Sequence, residues 1–556
     1  MKILYRYSRD IKTQSHKWYF SFTILAIIVS SGFVGSTNAV AEVSGGSKLA
    51  EVLAQGNDVY VLWQNLSNMH SILFARSVDG GQTFGSPVVL VQNATLRISS
   101  APQMSIAGNT IVIAWTDSLN PTGQNNIHIF LTKSNDGGRT FSNPVIVDDK
   151  DNTGFSTLNK LYSDGQNVYV IYQNGDFTKI SKLFLLKSDN NGNTFSKPLL
   201  LSANYSNTDN NIYRPYSPSI VASGNNVYVA WLEWQVKGPQ FDFLPKPFNI
   251  VFRESNDSGN SFGKQLILGS GNATAALYSS PQLALSNDSK QLYVSWLDLC
   301  DFKCYKVFFV RSTDGGHSFQ NVVDVNAGRY GNFTSFNLNS SPPIYPYIGT
   351  SGGNTVFMMW QDAYNSTTGR NSLILARSFN GGDTFDIKQI KDNLINESSI
   401  SSHIPSQFIV NGTNLYLTWF GSTTAINDRV TFPISYTLFF QKSDDSGSSF
   451  ASPVDLSNGK TLFSNPSQID SKLSSLLISN NRIYAIWQNN DSSQRSISIR
   501  MSADSGSTFN LMTSFNFDSS SSAPEFPIEI LTMGLLSTAI GIALAATKYL
   551  TKQIGR

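Results

Sequence analysis

Apolar residues recur along this chain in short alternating runs, not in helical stripes. Eight of these runs end on a large aromatic. The first is Val59-Tyr60-Val61-Leu62-Trp63, and the rest close on Trp115, Tyr172, Trp231, Trp296, Trp360, Trp419 and Trp487. Period-two alternation of β-branched and aromatic residues predicts a strand, because successive side chains leave a strand on opposite faces. A second apolar run precedes several of these, often opened by proline, as in Pro102-Gln103-Met104-Ser105-Ile106, Pro218-Ser219-Ile220-Val221 and Pro281-Gln282-Leu283-Ala284-Leu285. A third strand-like run follows each aromatic, and it leads into a polar octet. The pattern predicts an all-β chain of repeated four-stranded units, each read as strand, tight turn, strand to aromatic, connection, strand, octet, strand. An aromatic at the same place in every unit predicts packing between units ahead of a sugar platform.

The octet is Ser-x-Asp/Asn-x-Gly-x-Thr/Ser-Phe, and it occurs eight times. Its third residues are Asp79, Asp136, Asn190, Asp257, Asp314, Asn380, Asp445 and Asp504, spaced 54 to 67 residues apart. Glycine permits a positive φ, the carboxylate or amide accepts N–H groups of its own turn, the hydroxyl ties the exit, and the phenylalanine plugs the adjoining core. The role expected of all eight is structural. A unit repeated in this way cannot bury its apolar face alone, so it stacks on its neighbours.

The octet resembles the Asp box of the sialidase-like propellers. That resemblance implies a single β-propeller over 46–516, with the boxes joining third and fourth strands on one face. It places ligands on the opposite face, where second-to-third and blade-to-blade connections run. Eight full modules predict eight blades; a seven-bladed ring with an irregular extra module is the alternative. The connections expected on the ligand face are the long ones: 117–126, 233–249, 362–371, 421–435, 202–217 and 325–341. Length variation on one face of a repeat array marks where function resides.

Candidate chemistry follows from that placement. Acidic residues stand two places after the repeated aromatic in four modules: Asp117, Glu233, Asp298 and Asp362. They read either as a partial ring of carboxylates for acid/base work or a cation, or as strand-end caps in a periodic frame. Trp234 with Arg214, Arg329, Arg370 and Arg429 reads either as part of a sugar- or carboxylate-binding floor or as loop packing. A sialidase needs three arginines, an acid/base carboxyl and a Tyr–Glu pair, and the family's first arginine lies in an Arg-Ile-Pro motif. Here the opening prolines follow Ser or Ala, and His403-Ile404-Pro405 comes nearest. The family resemblance therefore covers the fold and stops at the first catalytic motif. The expectation is a non-catalytic glycan- or protein-binding module, with a divergent exo-glycosidase as the alternative.

Composition narrows the rest. Lys plus Arg number 40 and Asp plus Glu 38, a formal charge of +2, so no broad field draws nucleic acid. Five histidines are scattered without metal spacing, and no cofactor is expected. Asp149-x-Asp151 opens like a calcium loop but lacks the later glutamate, since position 160 is lysine; it reads as a solvated loop. The two cysteines, Cys300 and Cys304, flank a three-residue turn and are expected to form a disulfide in an oxidising exterior. Residues 1–41 carry a basic start, an apolar run over 18–34 and Ala39-Val40-Ala41, and read as an export signal, with an uncleaved anchor as the alternative. Residues 517–527 read as a Ser/Pro linker, 528–549 as a transmembrane helix and 550–556 as a basic cytoplasmic tail. That order places the ring outside a cell membrane. The Pro524-Glu525-Phe526 triplet before the span resembles archaeosortase-type sorting signals, which implies removal of the span.

Overall fold

The computed structural model describes residues 47–516 except the segments 66–70, 92–100, 120–125, 149–154, 176–180, 204–210, 238–245, 274–279, 287, 301–303, 328–345, 362–372, 391–399, 428–429, 459–461, 463–473 and 491–494. The expected export signal, linker, span and tail lie outside the described residues. Among the described residues no helix is long and apolar enough to cross a membrane.

Thirty-two strands form eight four-stranded antiparallel sheets, each taken from one continuous stretch and ordered first to fourth. We number these blades I (47–91), II (103–146), III (156–200), IV (211–273), V (282–324), VI (347–390), VII (400–455) and VIII (474–516). The first strands of successive blades lie side by side all the way round, and that of blade VIII lies against that of blade I. The molecule is an eight-bladed propeller, and the seven-bladed alternative falls away.

Among the described residues no strand crosses over to seal this ring. Blade I begins with its own strand Ser47–Gln55, and blade VIII ends with its own strand Asn510–Asn516. Closure rests on packing: Val59, Val61, Trp63 and Ala75 meet Tyr484, Ile486, Ile497 and Ile499 in one buried cluster. The Ser479 hydroxyl donates to the Gly56 carbonyl at 3.0 Å, and Arg482 Nη1 donates to Asn57 Oδ1 at 3.1 Å. Apolar burial is non-directional, so a well-matched sheet pair closes a ring without exchanged strands.

Each repeated aromatic sits between its own blade and the preceding one. Trp115 packs with Tyr60 and Phe74 of blade I, Trp296 with Leu232 and Ile250 of blade IV, and Trp360 with Phe309 of blade V. The box phenylalanines follow the same rule. Phe141 meets Phe74 edge-on at 5.0 Å and 70°, and Phe319 meets Phe252 at 4.9 Å and 77°. Phe385 and Phe509 repeat the geometry on Phe309 and Phe440. An edge-to-face pair aligns the positive ring edge with the negative ring face, and the contact is directional. The box thereby joins two blades as well as two strands.

The box turn explains its own sequence. In blade I, Ser77 Oγ donates to Asp79 Oδ1 at 2.7 Å and accepts the Gly81 N–H at 2.7 Å. Asp79 also accepts the Thr83 N–H at 3.0 Å and the Thr83 hydroxyl at 2.6 Å. Where asparagine stands, the side-chain bond reverses: Asn190 Nδ2 donates to Thr194 Oγ1 at 2.8 Å, while Oδ1 still accepts the Thr194 N–H at 2.9 Å. A hydroxyl both donates and accepts, so one turn tolerates both residues. These bonds hold the carboxylates low: led by the Ser318 and Ser449 hydroxyls, they pull Asp314 and Asp445 down to about 2.

Two features of the strand layout differ from expectation. The segments 233–249 and 421–435, read as connections, are largely strand: Asn226–Lys237 pairs with Lys246–Ser255, and Asn414–Asn427 with Val430–Ser443. The expected connection 202–217 likewise becomes strand from Asn211. In blade VII the run Gly421-Ser422-Thr423-Thr424 breaks the two-residue period that marks a half-buried strand although the backbone ladder continues; in blade IV the period carries on through Leu232, Trp234 and Val236, so the strand outruns the expected end.

Candidate functional site

The first-to-second turn and the box of one blade share a face. Gly80 N–H donates to the Asn57 carbonyl at 2.8 Å, Gly137 to Asn109 at 2.9 Å and Gly381 to Asn354 at 2.7 Å. Antiparallel topology puts the other connections on the opposite face, as the box pattern predicts. Arg329, Asp362, Arg370, Arg429, Asp149 and Asp151 lie outside the described residues. Among the described residues no group of three or more His, Cys, Asp or Glu could hold a metal ion. Cys300 and Cys304 are direct partners in the ladder of blade V, and their side chains lie outside the described residues.

Blade IV builds the best-described part of the loop face. Its strands Asn211–Ser223, Asn226–Lys237 and Lys246–Ser255 outrun those of blade II, whose first strand is Gln103–Ala107. Cross-strand register sorts its side chains onto two sides. One row runs Arg214, Trp234, Phe248, Gly271; the next runs Tyr216, Leu232, Ile250, Gly269. Residues directly opposite each other share a side. Tyr216 meets the Trp234 ring edge-on at 5.9 Å and 89°. Burial pushes the Tyr216 hydroxyl up, against the nearby Arg214 guanidinium, which donates a hydrogen bond to it. Arg214 is 2 % exposed and packs into the blade rather than standing free in a pocket. The Trp234 indole N–H is buried without an acceptor.

The other side of blade IV is polar. Its rows are Tyr213 opposite Gln235, then Pro215, Glu233, Asn249 and Ser270. Gln235 Nε2 donates to the Tyr213 hydroxyl at 3.4 Å, and Ser270 Oγ donates to Asn249 Oδ1 at 2.7 Å. Just below, Ser217 holds a left-handed φ of 48° ahead of Pro218, inside a bulge between Tyr216 and Ser219. A serine there is strained, and bulges of this kind re-aim the strand that carries them.

The three described carboxylates two places after the aromatic, Asp117, Glu233 and Asp298, do not converge. Each lies on the same side of its strand as that aromatic, so each faces the preceding blade. Asp298 Oδ2 reaches blade IV at Gly271, where a Cβ would stand 2.6 Å away. Glu233 faces blade III, beside Trp231. Asp117 faces blade I beside Trp115, and its Oδ1 accepts the Ser118 N–H at 2.8 Å. Three carboxylates thus occupy three separate interfaces.

One polar cluster is not legible in the sequence. His128 Nδ1 lies 3.2 Å from both oxygens of Asp148, and both side chains are buried, 1 % and 0 % exposed. Asp148 also accepts the Ile129 N–H at 3.1 Å and a bond from Ser156. Burial pushes its carboxyl up, against the pull of Ser156 and His128. Serine, histidine and aspartate are in contact here, yet the serine donates to the aspartate and all three are sealed from solvent. A nucleophile needs its base within reach and a substrate within contact, so this is not a catalytic triad. Blades III and V show its origin: Ser202 Oγ accepts the Leu183 N–H at 3.0 Å, and Asn326 Oδ1 accepts the Val307 N–H at 2.7 Å. A polar residue after the fourth strand anchors the chain to the third. Blade II uses aspartate for this, with the His128 ring as a further partner.

No protein-family model and no curated protein matches this chain. Among solved structures it is similar to an ulvan lyase described as a new polysaccharide lyase family, PL25. That match has 14 % identity and a TM-score of 0.44, covering 71 % of this chain and 89 % of that one. It is also similar to the polysaccharide lyase Uly1, at 9 % identity and a TM-score of 0.45 over 74 % and 92 % of the two chains. The endosialidase of phage phi92 matches at 13 % identity and a TM-score of 0.33 over 70 % and 61 %.

Proposed function

We propose that the propeller is a non-catalytic glycan-binding module that works through its loop face, with blade IV as its main wall. The observation that carries this reading is the ladder on the polar side of that wall. Tyr213, Gln235, Asn249 and Ser270 present an aromatic edge, two amides and a hydroxyl, with Glu233 among them. Hydroxyl-rich ligands are recognised by such fixed donors and acceptors beside aromatic surface. Hydrolysis of a glycosidic bond calls for catalytic groups converging on one sugar, either two carboxyl groups about 5–10 Å apart or, in a sialidase, an acid/base carboxyl with a Tyr–Glu pair. The described carboxylates of this face are divided among three interfaces, and this favours binding over turnover.

We propose further that the chain is exported and held at a membrane by 528–549, with the ring outside. The basic residues after the apolar run support that orientation. A glycan array, run beside fluorogenic glycosides, tests the functional reading. Binding without turnover is expected, with loss of binding in Gln235→Ala and Asn249→Ala. Turnover abolished by Glu233→Gln would establish the glycosidase instead. Mass spectrometry of the native C-terminus tests the tether: loss of the apolar span would show removal by a sorting enzyme.

A further inference from the structure

The position just before each box serine carries a basic residue in six blades, and each reaches the box of the next blade. Lys187 Nζ donates to Asn260 Oδ1 at 3.2 Å, and Lys442 Nζ to Ser507 Oγ at 2.9 Å. Arg311 donates to the Asn380 carbonyl at 3.0 Å and to Asp383 at 2.8 Å. Arg377 donates to the Ser446 carbonyl at 3.2 Å and to Ser448 Oγ at 2.7 Å. Lys133 bonds Asn193, and Arg76 lies over Gly137. Blade VIII has Met501 here, and Arg482 from its second strand takes over the task on blade I. Among the described residues, the interface between blades IV and V alone has no lysine or arginine reaching across; its one basic contact is His317 of blade V with Glu254.

Glu254 stands there instead, and the space is open. A groove of about 350 Å³ on the box face runs between Asn226, Tyr228 and Glu254 of blade IV and Ser289, Asp314 and His317 of blade V. His317 does not fill it. Its Nδ1 lies 2.7 Å from the Asp314 carbonyl, the acceptor that Asn193 Nδ2 and Asn260 Nδ2 satisfy in their own boxes. An amide nitrogen only donates, so by analogy Nδ1 carries the proton here. Glu254 Oε2 is left a 3.5 Å contact with that ring. Lys290 stands at the rim of the groove, 80 % exposed and 3.8 Å from Asp288.

We propose that this groove binds a guanidinium or ammonium group supplied from outside the ring, with Glu254 as its counter-ion. The incoming group takes the place of the basic side chain that the other seven interfaces provide for themselves. Charge-assisted bonds to a partly buried carboxylate are the stronger class of hydrogen bond, and burial pushes the Glu254 carboxyl up, against the opposing pull of His317. The source is either a free small cation or a basic side chain of another polypeptide, including a second copy of this chain. This site lies on the face opposite the proposed glycan wall, so each reading stands or falls separately.

The test is calorimetric titration of the full chain with Nα-acetyl-L-argininamide and with its uncharged isostere Nα-acetyl-L-citrullinamide. Argininamide is expected to bind about tenfold more tightly, equal to about 1.4 kcal/mol. Glu254→Gln should remove the difference. Glu254→Lys restores the repeated pattern, so it should abolish binding while the ring melts no lower than the parent. Sedimentation separates the sources. One species throughout points to a free cation; self-association suppressed by argininamide and by Glu254→Lys points to a second copy. Equal binding of the two ligands, no binding of either, or unchanged binding by Glu254→Lys overturns the proposal.

Discussion

Gly138→Ala separates two demands that the box places on its glycine. Gly138 has φ +86°, where a Cβ is strained, and that Cβ would stand 2.7 Å from the Phe74 ring of blade I. Gly165 has φ +92° and nothing within 4 Å of its would-be Cβ. Gly165→Ala therefore reports the backbone cost alone, about 1–2 kcal/mol. Gly138→Ala adds the displacement of a buried ring held edge-on by Phe141, about 1–3 kcal/mol more. Melting temperature reads such differences poorly here. A ring of about 470 residues has an unfolding entropy of ~1 kcal/mol/K, so 2 kcal/mol moves the midpoint by only ~2 °C. Native-state hydrogen exchange over 71–77 and 127–134 resolves it, because local opening reports local free energy. Phe74→Leu should recover part of the extra cost in the double variant. Equal effects of the two alanine substitutions would refute the claim that the box locks neighbouring blades.

Other outcomes follow from the same geometry. Asp136→Asn should cost under about 1 kcal/mol, because Asn190 and Asn380 already hold this turn, whereas Asp136→Ala should cost about 1–3 kcal/mol; limited proteolysis at the turn measures both. The depressed box carboxyls, Asp314 and Asp445 among them, bind fewer protons folded than unfolded. Their contribution is complete above about pH 4 and is lost as pH falls toward 2, which acid titration by circular dichroism reads. His128→Ala should destabilise by about 1–3 kcal/mol, because the buried Asp148 loses one partner and keeps only the Ile129 N–H and Ser156. Asp148→Asn should cost much less, since blade V uses asparagine at the same anchor; urea midpoints rank the pair.

The ring was legible because its demands are periodic. Every box needs a left-handed residue, a hydroxyl exit and a ring to plug the next interface, and these needs recur at fixed offsets in the chain. The register of Cys300 with Cys304 was legible for a similar reason, as a three-residue turn leaves little choice. What sequence spacing could not show is what depends on pairing between distant residues. His128 and Asp148 are 20 positions apart, and neither fits a motif. Only the parallel with Leu183–Ser202 and Val307–Asn326 gives the pair its meaning. The extended strands of blade VII were hidden for another reason: the polar run Ser422-Thr423-Thr424 erases the alternation that betrays a strand. Arg214 read as a candidate ligand-binding arginine because a sequence shows charge and not burial.

Hydrogen-exchange mass spectrometry of the ring with a glycan selected from the array tests most directly whether box face and loop face divide structure from binding. The account predicts protection over 211–216, 233–237 and 247–251, with the box turns of all eight blades unchanged. Protection confined to the box turns, with blade IV unaffected, would contradict it.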